Sequence, residues 1–202
     1  MAMIKTLESV SGQTEVKLIP IVQALDLRMI ASQTSLDVWA QNVDNITYGA
    51  HTGHILPEGT RLAGAKGVVL NHSEKKADMN DLSAKHRRAR VVGLKTLIFA
   101  GNMDELEQVI LLKPDFVSYE PWELIGSGDK SVATEKPDII KKAVDMAKKA
   151  GLPLIVGAGI HTKEDIATSL NLGASGFAVA SGIMNAENPR EVIENLLKGY
   201  IK

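Results

Sequence analysis

The sequence predicts a parallel α/β fold of barrel type, with seven strands each followed by a helix, in a single domain spanning residues 1–202. Three observations predict it. Short apolar runs alternate with longer amphipathic ones along the whole chain. The short runs carry Val, Ile, Leu and Phe on both parities, as expected for strands covered by helices on both faces. Polar residues and glycines gather where those runs end: Gln41 and Asn42, Asn71 and His72, Glu120, Gly157 to Gly159, and Ala180 to Gly182. A barrel brings all its strand C-termini to one mouth, where its active sites lie. The rival architecture, an open dinucleotide-binding sheet, carries G-x-G-x-x-G after its first strand. Here the first run ends at Pro20 with no glycine nearby.

Taken in order, the predicted strands cover residues 16–21, 36–43, 67–72, 95–100, 116–120, 154–157 and 176–180. Helices follow each of them, including 81–92, 103–111, 137–150, 162–172 and 189–201. Gly93, Gly151 and Gly173 stand where left-handed helix caps belong. The residues ahead of the first strand read two ways. As a helix, Ile4, Leu7 and Val10 share one face and Gly12 is the stop. As a strand, Met3 to Thr6 would place Lys5 at its end, but would leave roughly nine residues to cross back to a parallel neighbour, fewer than such crossovers need. The helix reading is preferred.

Composition narrows the function. Hydrophobic residues make up 45% and the net charge is −1, which argues against nucleic acid or an anionic membrane as partner. The run Lys85-His86-Arg87-Arg88 is expected to be a solvated helix face. The chain has no cysteine, so it has neither a disulfide framework nor a thiolate nucleophile. No apolar stretch is long enough to span a bilayer and no basic-then-apolar leader is visible, so a cytoplasmic protein is expected.

The chemistry is concentrated in a few runs. In Val117-Ser118-Tyr119-Glu120-Pro121 a strand delivers a carboxylate, and Gly126-Ser127-Gly128 follows before the next helix. A base on a rigid strand beside a glycine-containing loop suits proton abstraction next to a carbonyl, because closure excludes water. Val68-Val69-Leu70-Asn71-His72-Ser73-Glu74 ends another strand in a histidine at the expected start of a helix. The positive end of the helix dipole there favours neutral imidazole, a hydrogen-bond donor to a carbonyl. Gly157-Ala158-Gly159 and Ala180-Ser181-Gly182 end the last two strands, and small residues there let backbone N–H groups cradle a phosphate. The long polar loop 45–54 carries His51 and His54. With no carboxylate or third histidine beside them in sequence, no metal is expected, and no cofactor.

These runs together resemble triosephosphate isomerase, closest to its shorter archaeal type, from about Val16 to the C-terminus. Ala40-Gln41-Asn42-Val43, Gly49-Ala50-His51-Thr52-Gly53-His54, Leu70-Asn71-His72-Ser73-Glu74, Tyr119-Glu120-Pro121 with Leu124-Ile125-Gly126, and Gly157-Ala158-Gly159-Ile160 stand in family register. The resemblance implies a TIM barrel that acts on a triose phosphate, with His72 as electrophile and Glu120 as base. Glu74 matches a carboxylate at the edge of the active site. Backbone at Ile125, Gly126, Gly159, Ala180 and Ser181, with Gly157 among the glycines of the cradle, would surround the phosphate. It also implies that the loop of His51, Thr52, Gly53 and His54 inserts into a second copy, giving a homodimer or higher oligomer. One family part has no counterpart: the first strand, ending in Asn-x-Lys, whose lysine faces the substrate. The expected fold is therefore an incomplete barrel of seven strands lacking the first, with turnover reduced by the lost cation. Two rivals stand beside an isomerase: a homologue that keeps fold and assembly without turnover, and an unrelated phosphate-binding barrel enzyme such as an aldolase or synthase.

Overall fold

The computed structural model describes residues 1–121 and 137–200. The chain forms two compact units, Met1–Ile98 and Phe99–Lys202. Seven strands occur among the described residues, alternating with helices, and within each unit neighbouring strands pair in parallel and in chain order. That element order is a parallel barrel's with seven of its eight strands.

The first unit opens with α1 (Ala2–Ser11), so the helix reading of the N-terminal segment holds and Lys5 lies on a helix, exposed. Ile4 and Val10 are buried, Leu7 is half-buried, and Gly12 is the C-cap. The Glu8 carboxylate ties α1 down by accepting from Thr34 Oγ1 at 2.7 Å and from the Ser35 N–H at 3.0 Å. Strands β1 (Ile21–Val22) and β2 (Trp39–Ala40) flank α2 (Ala24–Ala31) and are much shorter than expected. Pro20 explains part of this, since it has no N–H to give a ladder and joins only as an acceptor from Trp39.

Next come α3 (Pro57–Leu62), β3 (Gly67–Leu70), α4 (Met79–Val91) and β4 (Lys95–Ala100). All four β3 residues are buried, which is the two-sided covering that its unbroken apolar run implied. Opposite Gly67 in the β2–β3 register stands Trp39, and a Cβ at Gly67 would fall 2.3 Å from its indole. Asp78 caps α4 by accepting from the N–H groups of Asn80 and Asp81, both at 2.9 Å.

The basic run on α4 corrects the sequence reading. Only Arg87 is exposed; Lys85 and His86 are buried. Lys85 pairs with Asp81 at 2.8 Å, and Arg88 binds the Glu58 carboxylate and the Ile46 carbonyl. The i, i+3, i+4, i+7 face that buries Leu82, Lys85, His86 and Ala89 follows helical period, so two polar residues share the inward stripe.

In the second unit Phe99 and Ala100 complete β4, and α5 (Met103–Leu111) follows under an Asn102 cap. Strands β5 (Phe116–Tyr119), β6 (Leu154–Val156) and β7 (Gly176–Phe177) alternate with α6 (Pro137–Lys149) and α7 (Lys163–Asn171). Ile140, Ala143, Val144 and Ala147 form the buried stripe of α6. Thr162 and Asp165 close a capping box on α7. A short helix, α8 (Ser181–Met184), precedes α9 (Pro189–Leu197). The predicted final helix stops early, at Leu197, and tightens into a 3₁₀ turn, Lys198–Tyr200. Close packing fixes that turn: a Cβ on Gly199 would stand 2.4 Å from the Lys163 carbonyl. Tyr200 then meets Phe177 edge to face at 5.7 Å, and burial pushes its phenol up to about 12. No helix among the described residues is long and apolar enough to cross a membrane.

Replacing Gly67 by alanine must displace the Trp39 indole from β3. We expect Gly67→Ala to cost roughly 1–3 kcal/mol in denaturant unfolding, as midpoint loss at unchanged slope.

Candidate active site

Glu120 stands one residue past β5, in the second unit. Its N–H donates to the Ala100 carbonyl at 2.9 Å, so the backbone is still held as a strand where the carboxylate leaves it. The residue is 8% exposed. Beside it runs the end of β6, where the Gly157 N–H donates to the Tyr119 carbonyl at 3.1 Å. A Cβ at Gly157 would lie 2.7 Å from Ser118 Oγ, 2.9 Å from Phe99 Cε1 and 3.3 Å from Glu120 Cβ. Glycine is therefore demanded at this position by close approach. The sequence reading placed Gly157 in the phosphate cradle; its close neighbours include the candidate base.

The β6–β7 register pairs Val156 with Phe177, so the two strands end side by side, and Gly159 (φ +65°) turns the chain just beyond. Ala180 and Ser181 are exposed at the start of α8. Ile125 and Gly126 lie outside the described residues.

His72 belongs to the first unit. Strand β3 ends at Leu70, and Asn71 adopts φ +59°, a left-handed conformation that asparagine tolerates better than most residues. Asn71 is buried, and its Oδ1 accepts from the Ala77 N–H at 3.1 Å, closing the loop that presents His72. The next segment is a three-residue 3₁₀ turn, Ser73–Lys75, and not the start of a long helix; α4 begins only at Met79. Sequence reasoning credited a helix dipole with keeping His72 neutral. Here burial is the first cause that lowers its pKa below the ordinary value, Lys76 adds to it, and Glu74 opposes. The His72 Nδ1 accepts from the Glu74 N–H at 3.3 Å, which leaves the ring proton of the neutral form on Nε2. Glu74 sits 3.6 Å from Nδ1 with its own side chain 88% exposed.

The loop that carries His51, Thr52, Gly53 and His54 leaves all four exposed. Its base is pinned on both sides. Asp44 N–H donates to the Ile55 carbonyl at 2.9 Å, the Ile55 N–H returns to Asp44 Oδ2 at 2.8 Å, and Asn42 donates to Oδ1 at 3.1 Å. Burial alone would raise the Asp44 pKa, but the Ile55 N–H, the Asn42 amide and the charges of Lys75 and Lys85 outweigh it and hold the carboxyl below its usual value. Asp44, Lys75 and Lys85 line a half-open cavity of about 340 Å³ together with Asn45, Ile46, His54 and Asp81.

A family model described as triosephosphate isomerase matches residues 1–196. The chain is 40% identical over 199 residues to the triosephosphate isomerase of Sulfurisphaera tokodaii, covering 98% of this chain and 86% of that one. It is 37% identical to that of Methanocaldococcus jannaschii, over 96% and 89% of the two chains. It is 38% identical to that of Saccharolobus solfataricus, over 98% and 87%. The chain belongs to the triosephosphate isomerase family. Its fold class is accordingly the TIM barrel, here with seven strands among the described residues, and its family is one of isomerases.

Two neighbours of these residues were not singled out from the sequence. Ser118 on β5 lies two residues before Glu120, and a hydroxyl inside an otherwise apolar run was the available signal. The clasp by Asn71 had no such signal, because its bond runs to Ala77, outside the motif.

The His72 titration gives a signed prediction. Because its folded pKa is depressed, protonation is unfavourable in the native state, and stability is lost as pH falls from the unfolded value of about 6.5 toward the folded one. In NMR titration the His72 ring should show a midpoint below the ordinary imidazole value of about 6.5. A midpoint above that value would show that Glu74, not burial, governs the ring.

Proposed function

We propose that this chain interconverts dihydroxyacetone phosphate and glyceraldehyde 3-phosphate, with Glu120 as base and His72 as electrophile. The buried carboxylate ending β5, set against a glycine that leaves it room, is the observation that carries this reading. Glu120 takes the proton from the hydroxyl-bearing carbon beside the carbonyl. His72 Nε2–H donates to the carbonyl oxygen as negative charge moves onto it. The hydroxyl proton passes, by way of His72, to the former carbonyl oxygen, and the enediolate regains a proton from Glu120 on the neighbouring carbon as the first carbon becomes the new carbonyl. One carbon is oxidised as its neighbour is reduced, so the isomerisation is redox-neutral and needs no cofactor. The phosphate is held by backbone N–H groups at Gly159, Ala180 and Ser181, joined by Ile125 and Gly126. Glu74 acts at the edge of the site. The chain works in the cytoplasm.

A second reading keeps the family's fold without its turnover, and one observation favours it. Lys5 lies on α1 and so does not end a strand that would face a substrate. A single missing charge-stabilising donor costs roughly a hundredfold to a thousandfold in kcat. We therefore expect the 202-residue polypeptide to turn over several orders of magnitude below its relatives, Glu120→Gln to abolish what remains, and a grafted strand ending in Asn-x-Lys to raise kcat/KM. Steady-state kinetics in both directions decide it; turnover near the diffusional limit would show that the lysine is supplied elsewhere.

The exposed tip His51 to His54 on a pinned base is proposed to dock into a second copy of the chain. Ordering such a tip costs conformational entropy that docking offsets. Light scattering should give at least a dimer, and Thr52→Arg should shift it toward monomer. A wild-type monomer at micromolar concentration would refute this assembly.

A further inference from the structure

The Ser118 side chain is wholly buried, and its hydroxyl has no hydrogen-bond partner among the described residues. Such a group has surrendered its bonds to water and regained none, whereas alanine would fill nearly the same space at no such cost. Ser118 and Glu120 are two residues apart on one strand path, so their side chains leave the same face. Both converge on one point. Ser118 Oγ lies 2.7 Å, and Glu120 Cβ 3.3 Å, from the place a Cβ of Gly157 would take. They can be no farther apart than the sum of those distances. The Glu120 carboxylate extends beyond its Cβ, so rotation about its own side-chain bonds brings an oxygen within hydrogen-bond reach of Oγ. Phe99 Cε1, 2.9 Å from the same place, is the third close neighbour there, and the Ala100 carbonyl holds the Glu120 N–H.

We infer that Ser118 Oγ–H donates to the Glu120 carboxylate once that side chain rotates toward it, and that Ser118 is a positioning residue that keeps this buried base ionised and aimed along β5. The inference rests on Glu120 being the base. A hydrogen bond to the charged form favours ionisation, and burial opposes it. Ser118 therefore offsets the penalty of holding a carboxylate where water is scarce. Gly157 is the second half of the device: any side chain there would occupy the position from which Ser118 reaches the acid.

The test uses glutamate labelled with ¹³C at the side-chain carboxyl, the Glu120 signal being identified by its loss in Glu120→Gln. We expect Ser118→Ala to raise the Glu120 midpoint by about one pH unit, with the acid limb of kcat/KM moving equally and KM unchanged. Ser118→Cys, with a weaker donor of similar shape, should fall between. An unmoved midpoint in Ser118→Ala, with Glu120→Gln inactive, would overturn the role of the serine and leave the base intact. Full activity in Glu120→Gln would remove the base, while the titration would still decide whether serine and carboxylate touch. A rise in thermal stability of Ser118→Ala at neutral pH with no change in midpoint would mark the hydroxyl as an orphan and also overturn the proposal.

Discussion

Parallel pairing in a fixed register is the constraint on which the rest of this molecule depends. Within each unit every strand runs the same way as its neighbour, so strands end together and the residues just beyond them lie side by side. Tyr119 and Val156 are the last pair of the β5–β6 ladder, and the next residue on each is Glu120 and Gly157. Neither owes its place to a long loop. A slip of one residue in that ladder would turn Glu120 to the opposite face and put Tyr119 where the carboxylate stands. Burial on both faces makes such a slip prohibitive, since Val117, Ser118 and Tyr119 are all inside.

The first unit concentrates ionic pairs around the base of the loop from Asp44 to Ile55. Lys85 reaches Asp81 and, at 4.0 Å, Asp44, while Arg88 spans Glu58 and the Ile46 carbonyl. Helix α4 thus acts as a charged scaffold for that loop. Buried pairs of this kind add little net stability, but removing one member leaves an uncompensated charge, so the arrangement resists piecemeal change.

Much of this was legible in the chain. Runs with apolar residues on both parities named the buried strands, and β4 and α5 fall at their expected bounds. The histidine and glutamate at strand ends could be picked out because they occur together and in family register with the glycine-rich strand ends; either alone is a weak signal. The basic run on α4 misled, because charge along a helix reads as solvent unless the partners are known, and Asp44, Ile46 and Glu58 are distant in sequence. The short 3₁₀ turn after His72 misled for a similar reason. Its length is set by the bond from Ala77 to Asn71, which no local propensity reports. The role of Gly157 as a space-maker needed three neighbours on two other strands, and no reading of one chain at one position supplies those.

Strand β1 is two residues long, and among the described residues its ladder partner is β2 alone. The brevity has a consequence for handling the protein. An outer strand offers its free N–H and C=O groups to any extended peptide that passes, and long flat edges recruit such peptides into aggregates. Two residues, with Pro20 just ahead of them supplying no donor, give a foreign strand too few hydrogen bonds to repay its loss of freedom. An edge this short presents less of a template for fibre growth than a longer first strand would.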